Sequence, residues 1–238
     1  LHDCFSALRA ARWPEATLRT DFAPLEDFTD NGEKYDVILL HYVLNELAPD
    51  TRRTLLARTA RALSPQGRLI VCEPLLRDAG DYLRDLRTFA LGDLGLHLLA
   101  PCPHELACPL GEPCHDVRTW KLPRSLQILN ATLNRDLRHL AYALLALSPT
   151  AVTEHDLHAR LVGSPAHAKG QTLCPACCTD GLIHRIQLLH RDFDTLGRKE
   201  LRHYERGQVL RFAALKPVGD PPLYRAAPLG RLASPPPP

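Results

Sequence analysis

Methionine is absent from this sequence altogether, aromatic residues make up only 6% of it, and neither sign of charge prevails. The formal charge is +2, from 29 basic and 27 acidic residues, too small an excess to imply nucleic-acid binding by itself. Only the local distribution of charge can argue for such a partner. No stretch approaches the roughly twenty uninterrupted apolar residues of a membrane span, so no membrane partner is expected. With no methionine even at its start, where Leu1 stands, the chain reads as a fragment or a processed product, and more sequence upstream is expected. No targeting peptide is visible.

What is present is ordinary in bulk and unusual in one place. At 238 residues, 45% hydrophobic and 24% charged, the chain has the composition of a soluble globular protein of one large domain, or of one domain with a smaller appendage. Six of its eight cysteines fall in two clusters. The stretch Ala-Pro-Cys-Pro-His-Glu-Leu-Ala-Cys-Pro-Leu-Gly-Glu-Pro-Cys-His, Ala100 to His115, sets Cys102, Cys108 and Cys114 with five residues between neighbours. Proline after the first two stiffens the loop and removes amide donors around its thiols. A second cluster, Cys174-Pro-Ala-Cys177-Cys178, can supply a fourth thiolate, so a tetrathiolate site would tie two distant parts of the chain together. In a long chain with α/β patterning such clusters point to metal rather than to disulfides. Spacing alone leaves iron–sulfur and zinc open: the five-residue gaps are long for structural zinc, whereas Cys174–Cys177 has the zinc-like gap. His104 and His115 are candidate zinc ligands or donors to sulfur. Cys4 and Cys72 are isolated, and Cys72 reads as a core thiol.

Upstream of the loop the pattern is α/β. A short strand is expected over 17–21, and Tyr35–His41 is a near-continuous apolar run, as in a strand buried on both faces of a parallel sheet. Residues 50–63 carry helical periodicity with Asp50 placed as the cap, Ser64–Gly67 reads as a turn, and Arg68–Glu73 as a second buried strand. Strand, helix, strand makes a βαβ unit. Asp78 to Leu99 reads as a further helix. The segments LRTDFAPLEDF, YDVILLHYVLNEL and ARALSPQGRLIVCEP together resemble the second half of a class I S-adenosylmethionine-dependent methyltransferase, a Rossmann-like fold. The resemblance implies that Asp21 and Phe22 face the adenine of the cofactor and that His41 to Asn45, including His41 and Asn45 themselves, line the reaction pocket beyond the strand ends. The family's glycine-rich loop and ribose-binding acidic residue are not in the chain; both would lie before Leu1. Whether the chain is an enzyme is therefore left open, and S-adenosylmethionine binding is expected of a full-length parent.

A methyltransferase-like sheet followed by APCPHELACPLGEPCH, then LPRS at Leu122–Ser125 and CPACCTDG at Cys174–Gly181, is similar to the methyltransferase-like proteins of the small ribosomal subunit, bacterial and mitochondrial, across roughly residues 17–212. That resemblance implies a [4Fe–4S] cluster on Cys102, Cys108, Cys114 and either Cys177 or Cys178, with zinc as the alternative. It also implies a role in small-subunit assembly or translation and binding to ribosomal RNA, with no DNA partner. A bacterial cytoplasmic or a mitochondrial matrix location fits it. The alternatives in function are an active rRNA methyltransferase and a zinc-stapled nucleic-acid module.

The expected organisation is thus a partial Rossmann-like domain over 1–99, a small cysteine-rich, metal-bound α+β module over 100–215, and a proline-rich, unpacked tail over 216–238. Within the module, 137–147 is apolar enough to pack, Ala166–Gly170 is a loop, and Leu182–Leu189 and Glu205–Phe212 carry strands. Arg118, Lys121, Arg124, Arg135 and Arg138 put basic charge near the loop. Arg185, Arg191, Arg198, Lys199, Arg202, Arg206 and Arg211 form the local excess from which a phosphate-contacting face is expected. Aromatic interleaving of the single-strand-binding kind does not appear here, so a base-stacking platform is not expected.

Overall fold

The computed structural model describes residue 7 and residues 10–15, 17, 32–75, 79–112, 114–134, 138–151, 158–219 and 223–231. The strand expected over 17–21, with Asp21 and Phe22, lies outside the described residues apart from Thr17.

The first sheet has five strands: β1 (Tyr35–His41), β2 (Leu63–Pro74), β3 (His97–Ala100), β4 (Asp116–Thr119) and β5 (His139–Ser148). β1 and β2 pair in parallel, joined by helix α1 (Pro49–Arg61), as the βαβ pattern predicts. β5 then runs antiparallel to β2, and β3 and β4 both pair antiparallel to the far edge of β5. The sheet is thus mixed, an α/β arrangement of the Rossmann-like kind, and it does not end at residue 99. Its boundary lies beyond Ser148 because the chain returns through β5 to the middle of the sheet. The helix expected over 78–99 is shorter: α2 (Ala79–Gly92) ends at a glycine, Gly95 takes φ +63°, and the chain re-enters the sheet as β3. That left-handed turn is one glycine adopts without steric cost.

Other details correct the sequence reading in small ways. The α1 cap position is Ala48, with Pro49 at the first helical position; Asp50 sits inside the first turn, where it complements the helix dipole without capping. Ser64–Gly67 is an irregular stretch within β2 rather than a separate turn, and pairing with β1 slips there between Tyr35 and Val37. A Cβ on Gly67 would come within 2.8 Å of the Tyr35 carbonyl oxygen, so only glycine fits. Both helices pack on one face, where Leu55, Leu56, Leu83 and Leu86 meet Leu40, Leu69, Val71, Leu145 and Leu147. The opposite face of β1 leaves Val37 60% and Leu39 59% exposed, so among the described residues β1 is covered on one side only.

The second sheet contains β6 (His158–Leu161), β7 (Ala166–Ala168), β8 (Gln171–Cys178), β9 (Ile183–Leu189), β10 (Val209–Val218) and β11 (Leu223–Arg231). Pairing runs β6–β8–β9–β11–β10 and returns to β6, which closes a five-stranded barrel; β7 forms a hairpin with β8. All contacts are antiparallel except β9 with β11. Helix α4 (Thr195–Leu201) lies between β9 and β10, and Leu201 enters the core; α3 (Arg124–Thr132) follows β4. Inside the barrel are Leu161, Cys174, Ala176, Cys178, Ile186, Leu188, Leu210, Phe212 and Ala226. The expected strands at 182–189 and 205–212 correspond to β9 and the start of β10. The expected loop at 166–170 begins with the short strand β7. The run expected as an unpacked tail contains β11, which pairs with β9 and β10 on either side. Closure gives its backbone groups partners that its composition does not advertise.

Candidate metal centre

The cysteine loop leaves the sheet at the end of β3 and returns as β4. β3 pairs with Ala146–Ser148 and β4 with His139–Tyr142, so the middle of the β5 edge, Ala143 to Leu145, is left to the loop. Arginines of α2 hold the loop from beneath. Arg87 donates to the carbonyls of His104 and Leu106 at 2.9 and 2.8 Å, and Arg84 to that of Leu110 at 2.8 Å. Glu105 accepts from the Leu98 amide at 2.8 Å. The carbonyls of a loop with prolines and little regular structure are thereby given fixed donors, and the loop a fixed path.

A cavity of about 50 Å³ lies between the loop, α2, β5 and the barrel, and Cys102, Cys108, Cys114 and Cys177 all line it. Cys177 reaches it because side chains alternate along β8: Cys174, Ala176 and Cys178 point into the barrel core, and Cys177 points out toward the loop. The two adjacent cysteines left equal by the sequence are thus separated. Cys178 is 2% exposed in the barrel core, and Cys174 is fully buried there. All seven cysteines in the described residues are free thiols. Among those residues no three His, Cys, Asp or Glu side chains are placed to hold one metal ion.

The electrostatics around the cavity are built from groups the sequence did not single out. Arg160 of β6 is 3% exposed, donates to Asp116 at 2.7 Å and to the Gly207 carbonyl at 2.9 Å, and its Nε points at the Cys114 sulfur at 3.4 Å. Burial works against its charge, yet Cys114 and Asp116 outweigh that and hold the guanidinium above its ordinary pKa. Asp116, 3% exposed, also accepts from Arg118 at 3.0 Å. Gly207 takes φ +90°, and a Cβ there would come within 2.2 Å of the Asp116 carboxylate, so the barrel turn closes directly on this ion pair. His104 is buried with Nε2 at 3.2 Å from the Cys177 sulfur; burial first, then Arg87, lowers its pKa, which keeps the ring neutral. Burial likewise pushes Cys102 up, against the pull of the Arg87 guanidinium, and raises Cys177 to about 12. Thiols with such values stay protonated at neutral pH unless a cation takes the proton's place. Asp116 and Arg160 are adjacent only through tertiary pairing; the one local hint was an acidic residue two positions after Cys114.

At the other candidate site, His41 and Tyr42 stack at the end of β1 with ring centroids 4.1 Å apart, and both are exposed. Tyr42 takes φ +57°. The following turn is stitched to Glu73, 0% exposed at the end of β2, whose carboxylate accepts from the amides of Val43, Leu44 and Asn45 and from the Tyr82 hydroxyl. The Asn45 side chain donates to Glu46, and its buried Oδ1 has no partner.

The basic residues divide. Arg206 pairs with Glu112, Arg191 lies 3.8 Å from Asp192, Arg118 belongs to the Asp116 network, and Arg135 lies outside the described residues. Arg185 is exposed on β9, and Arg198 and Arg202 line a separate cavity beside α4.

Over residues 4–220 the sequence matches the family model described as mitochondrial small ribosomal subunit Rsm22. The chain belongs to this family. No curated protein matches the sequence. Membership in the Rsm22 family ties the protein to the small ribosomal subunit and accords with a methyltransferase-like α/β fold.

Proposed function

We propose that the protein is a small-subunit assembly or translation factor that binds ribosomal RNA, with Cys102, Cys108, Cys114 and Cys177 holding a [4Fe–4S] cluster that staples the barrel to the sheet. One observation carries the proposal: four free thiols, three from the loop and one from the barrel, around a single cavity, in a chain of a small-subunit family. The donor set suits the group. Four thiols around one cavity are donors that a cuboidal cluster or a tetrahedral zinc ion can take, and the long five-residue gaps in the loop favour the cluster over the zinc alternative. A buried arginine on each side, Arg87 and Arg160, offsets the charge of four thiolates. The cluster supplies cross-linking and no electron transfer is required of it. The chain's own residues do the rest: α2 holds the loop through Arg84 and Arg87, Arg160 and Asp116 join barrel to sheet, and apolar neighbours such as Leu83 and Val162 keep water away. The family's description favours the mitochondrial matrix over the bacterial cytoplasm.

Anaerobically purified protein tests this directly. The expected result is a brown protein with iron and sulfide in cluster stoichiometry that co-sediments with small-subunit particles. Colourless protein with stoichiometric zinc and no iron would remove the cluster, and failure to sediment with the particles would remove the ribosomal role.

A second reading, an S-adenosylmethionine-dependent rRNA methyltransferase, draws on the strained Tyr42 and the Glu73-bound turn at the carboxyl end of β1, where ligands of such sheets lie. His41 and Asn45 are its candidate pocket residues here. Calorimetric titration with S-adenosylmethionine and a methyl-transfer assay on small-subunit RNA distinguish it from the assembly role.

A further inference from the structure

The barrel has a second cavity, of about 380 Å³, at its mouth beside α4. Its polar lining is His167, Lys169, Thr172, His190, Arg198 and Arg202, with no carboxylate among them. Three structural elements bring these groups together. His167 and Lys169 come from the β7–β8 hairpin in the connection between the first and second barrel strands, His190 from the turn after β9, and Arg198 and Arg202 from one face of α4 and the residue after it. The floor is built rather than accidental: Thr172 is 0% exposed, and its hydroxyl lies 3.1 Å from His167 Nδ1 and 3.0 Å from His190 Nε2, which fixes both rings. Lys169 and Arg202 make no ion pair among the described residues, and Arg198 spends only its Nε, on the Phe193 carbonyl. Elsewhere Arg160 is matched by Asp116 and Arg206 by Glu112, while buried Arg87 is spent on two loop carbonyls. An unmatched set of three permanent cations converging on one cavity is a site for anions.

The strand order sharpens the class of anion. A closed five-stranded barrel in which the third and fifth strands, β9 and β11, pair in parallel and a helix joins the third strand to the fourth has the topology of the oligonucleotide/oligosaccharide-binding fold. In that fold the connection between the first two strands borders the nucleic-acid path. We propose that the mouth of the barrel binds consecutive phosphates of an RNA backbone through Lys169, Arg198 and Arg202. This rests on the ribosomal reading above and adds to it the place of contact. No Phe, Tyr or Trp lines the cavity, and the His167 and His190 rings are held by the Thr172 hydroxyl on its floor, so the contact is with phosphate and not with base faces. Recognition here is indifferent to sequence and sensitive to salt.

Fluorescence anisotropy of the full, anaerobically loaded chain with a short labelled oligouridylate tests the site. The combined variant Lys169→Ala, Arg198→Ala, Arg202→Ala is expected to bind about ten-fold or more weakly at low salt. Its plot of log affinity against log salt should be shallower by about 2, at ~0.7 per single-strand phosphate released. Arg68→Ala, an exposed arginine on the sheet, serves as the control and should leave the slope unchanged. Oligoadenylate should bind the wild type as oligouridylate does. If the combined variant and the wild type share one affinity and one slope, the site is wrong while the ribosomal reading stands. If inorganic phosphate at constant ionic strength displaces the RNA at millimolar concentration, the cavity is a small-anion pocket and the assignment to RNA is overturned. A wild-type chain that binds neither RNA and also fails to sediment with small-subunit particles defeats both readings together.

Discussion

The sheet of residues 35–148 and the barrel of residues 158–231 bury their apolar side chains in opposite ways. The sheet keeps its core on one side, beneath α1 and α2, and exposes Val37 and Leu39 on the other at about 60% each. The barrel closes on itself, so β6 pairs with both β8 and β10, and among the described residues Leu201 of α4, Tyr204 and Phe193 pack onto its core. The sheet contributes a loop with three thiols and little regular structure; the barrel contributes one thiol on a strand whose position is fixed by pairing on both sides. The barrel and the loop both line one cavity, which neither encloses alone. Besides that cavity, the buried Asp116–Arg160 pair and the contacts of Arg206 with Glu112 and with the Val117 amide join the two regions.

Breaking the junction at its thiols should have the largest effect. Cys177→Ser is expected to abolish iron incorporation, measured by metal analysis of anaerobic protein, and to open the loop to limited proteolysis; an unchanged cleavage pattern would count against the staple. Cys178→Ser, one residue away in the barrel core, should retain iron, because its side chain points to the other face of β8. Next in size is Asp116→Ala, which leaves Arg160 buried without a counter-charge. Such losses cost about 3–5 kcal/mol, and denaturant titration should show it. Leu188→Ala hollows the barrel core, where Leu188 is 1% exposed, and should cost about 2–5 kcal/mol by the same measurement. Its counterpart on the open side of the sheet, Val37→Ala, should stay within about 0.5 kcal/mol, since most of that side chain is already in water. If Val37→Ala proves as costly as Leu188→Ala, the two regions are not covered as unequally as the structure indicates.

Acid–base behaviour separates empty from loaded protein. Burial raises Cys177 to about 12 and pushes Cys102 upward, so the folded thiols hold their protons more tightly than the unfolded chain does. Stability of the metal-free protein is therefore complete below the unfolded thiol value of about 8.5 and declines as pH rises from there toward 12. Loading removes those protons, so thermal melts of loaded protein should lack this alkaline loss. Cluster or metal binding should weaken as pH falls, because each ligand must give up its proton.

Much of this was legible along the chain. Period and turn chemistry located β1, α1, β2 and β9, and the prolines flanking Cys102 and Cys108 marked a stiff thiol loop, because these signals are local. The long insertion of β5 between β2 and β3 was not legible, since pairing partners as distant as Leu69 and Leu147 leave no periodic trace. Nor was β11, whose strand character comes from the two neighbours that barrel closure supplies.

The sequence by itself determined that three thiols sit on one loop beside a βαβ unit, because spacing and backbone stiffness are properties of neighbouring residues. Only the tertiary structure decided which of two adjacent cysteines joins them. Alternation along β8 puts Cys177 and Cys178 on opposite faces in any strand, but which face is outside depends on closure of the barrel around Ile186, Leu188 and Phe212. The same closure brings Arg160 to Asp116 and gathers Lys169, Arg198 and Arg202 at one mouth.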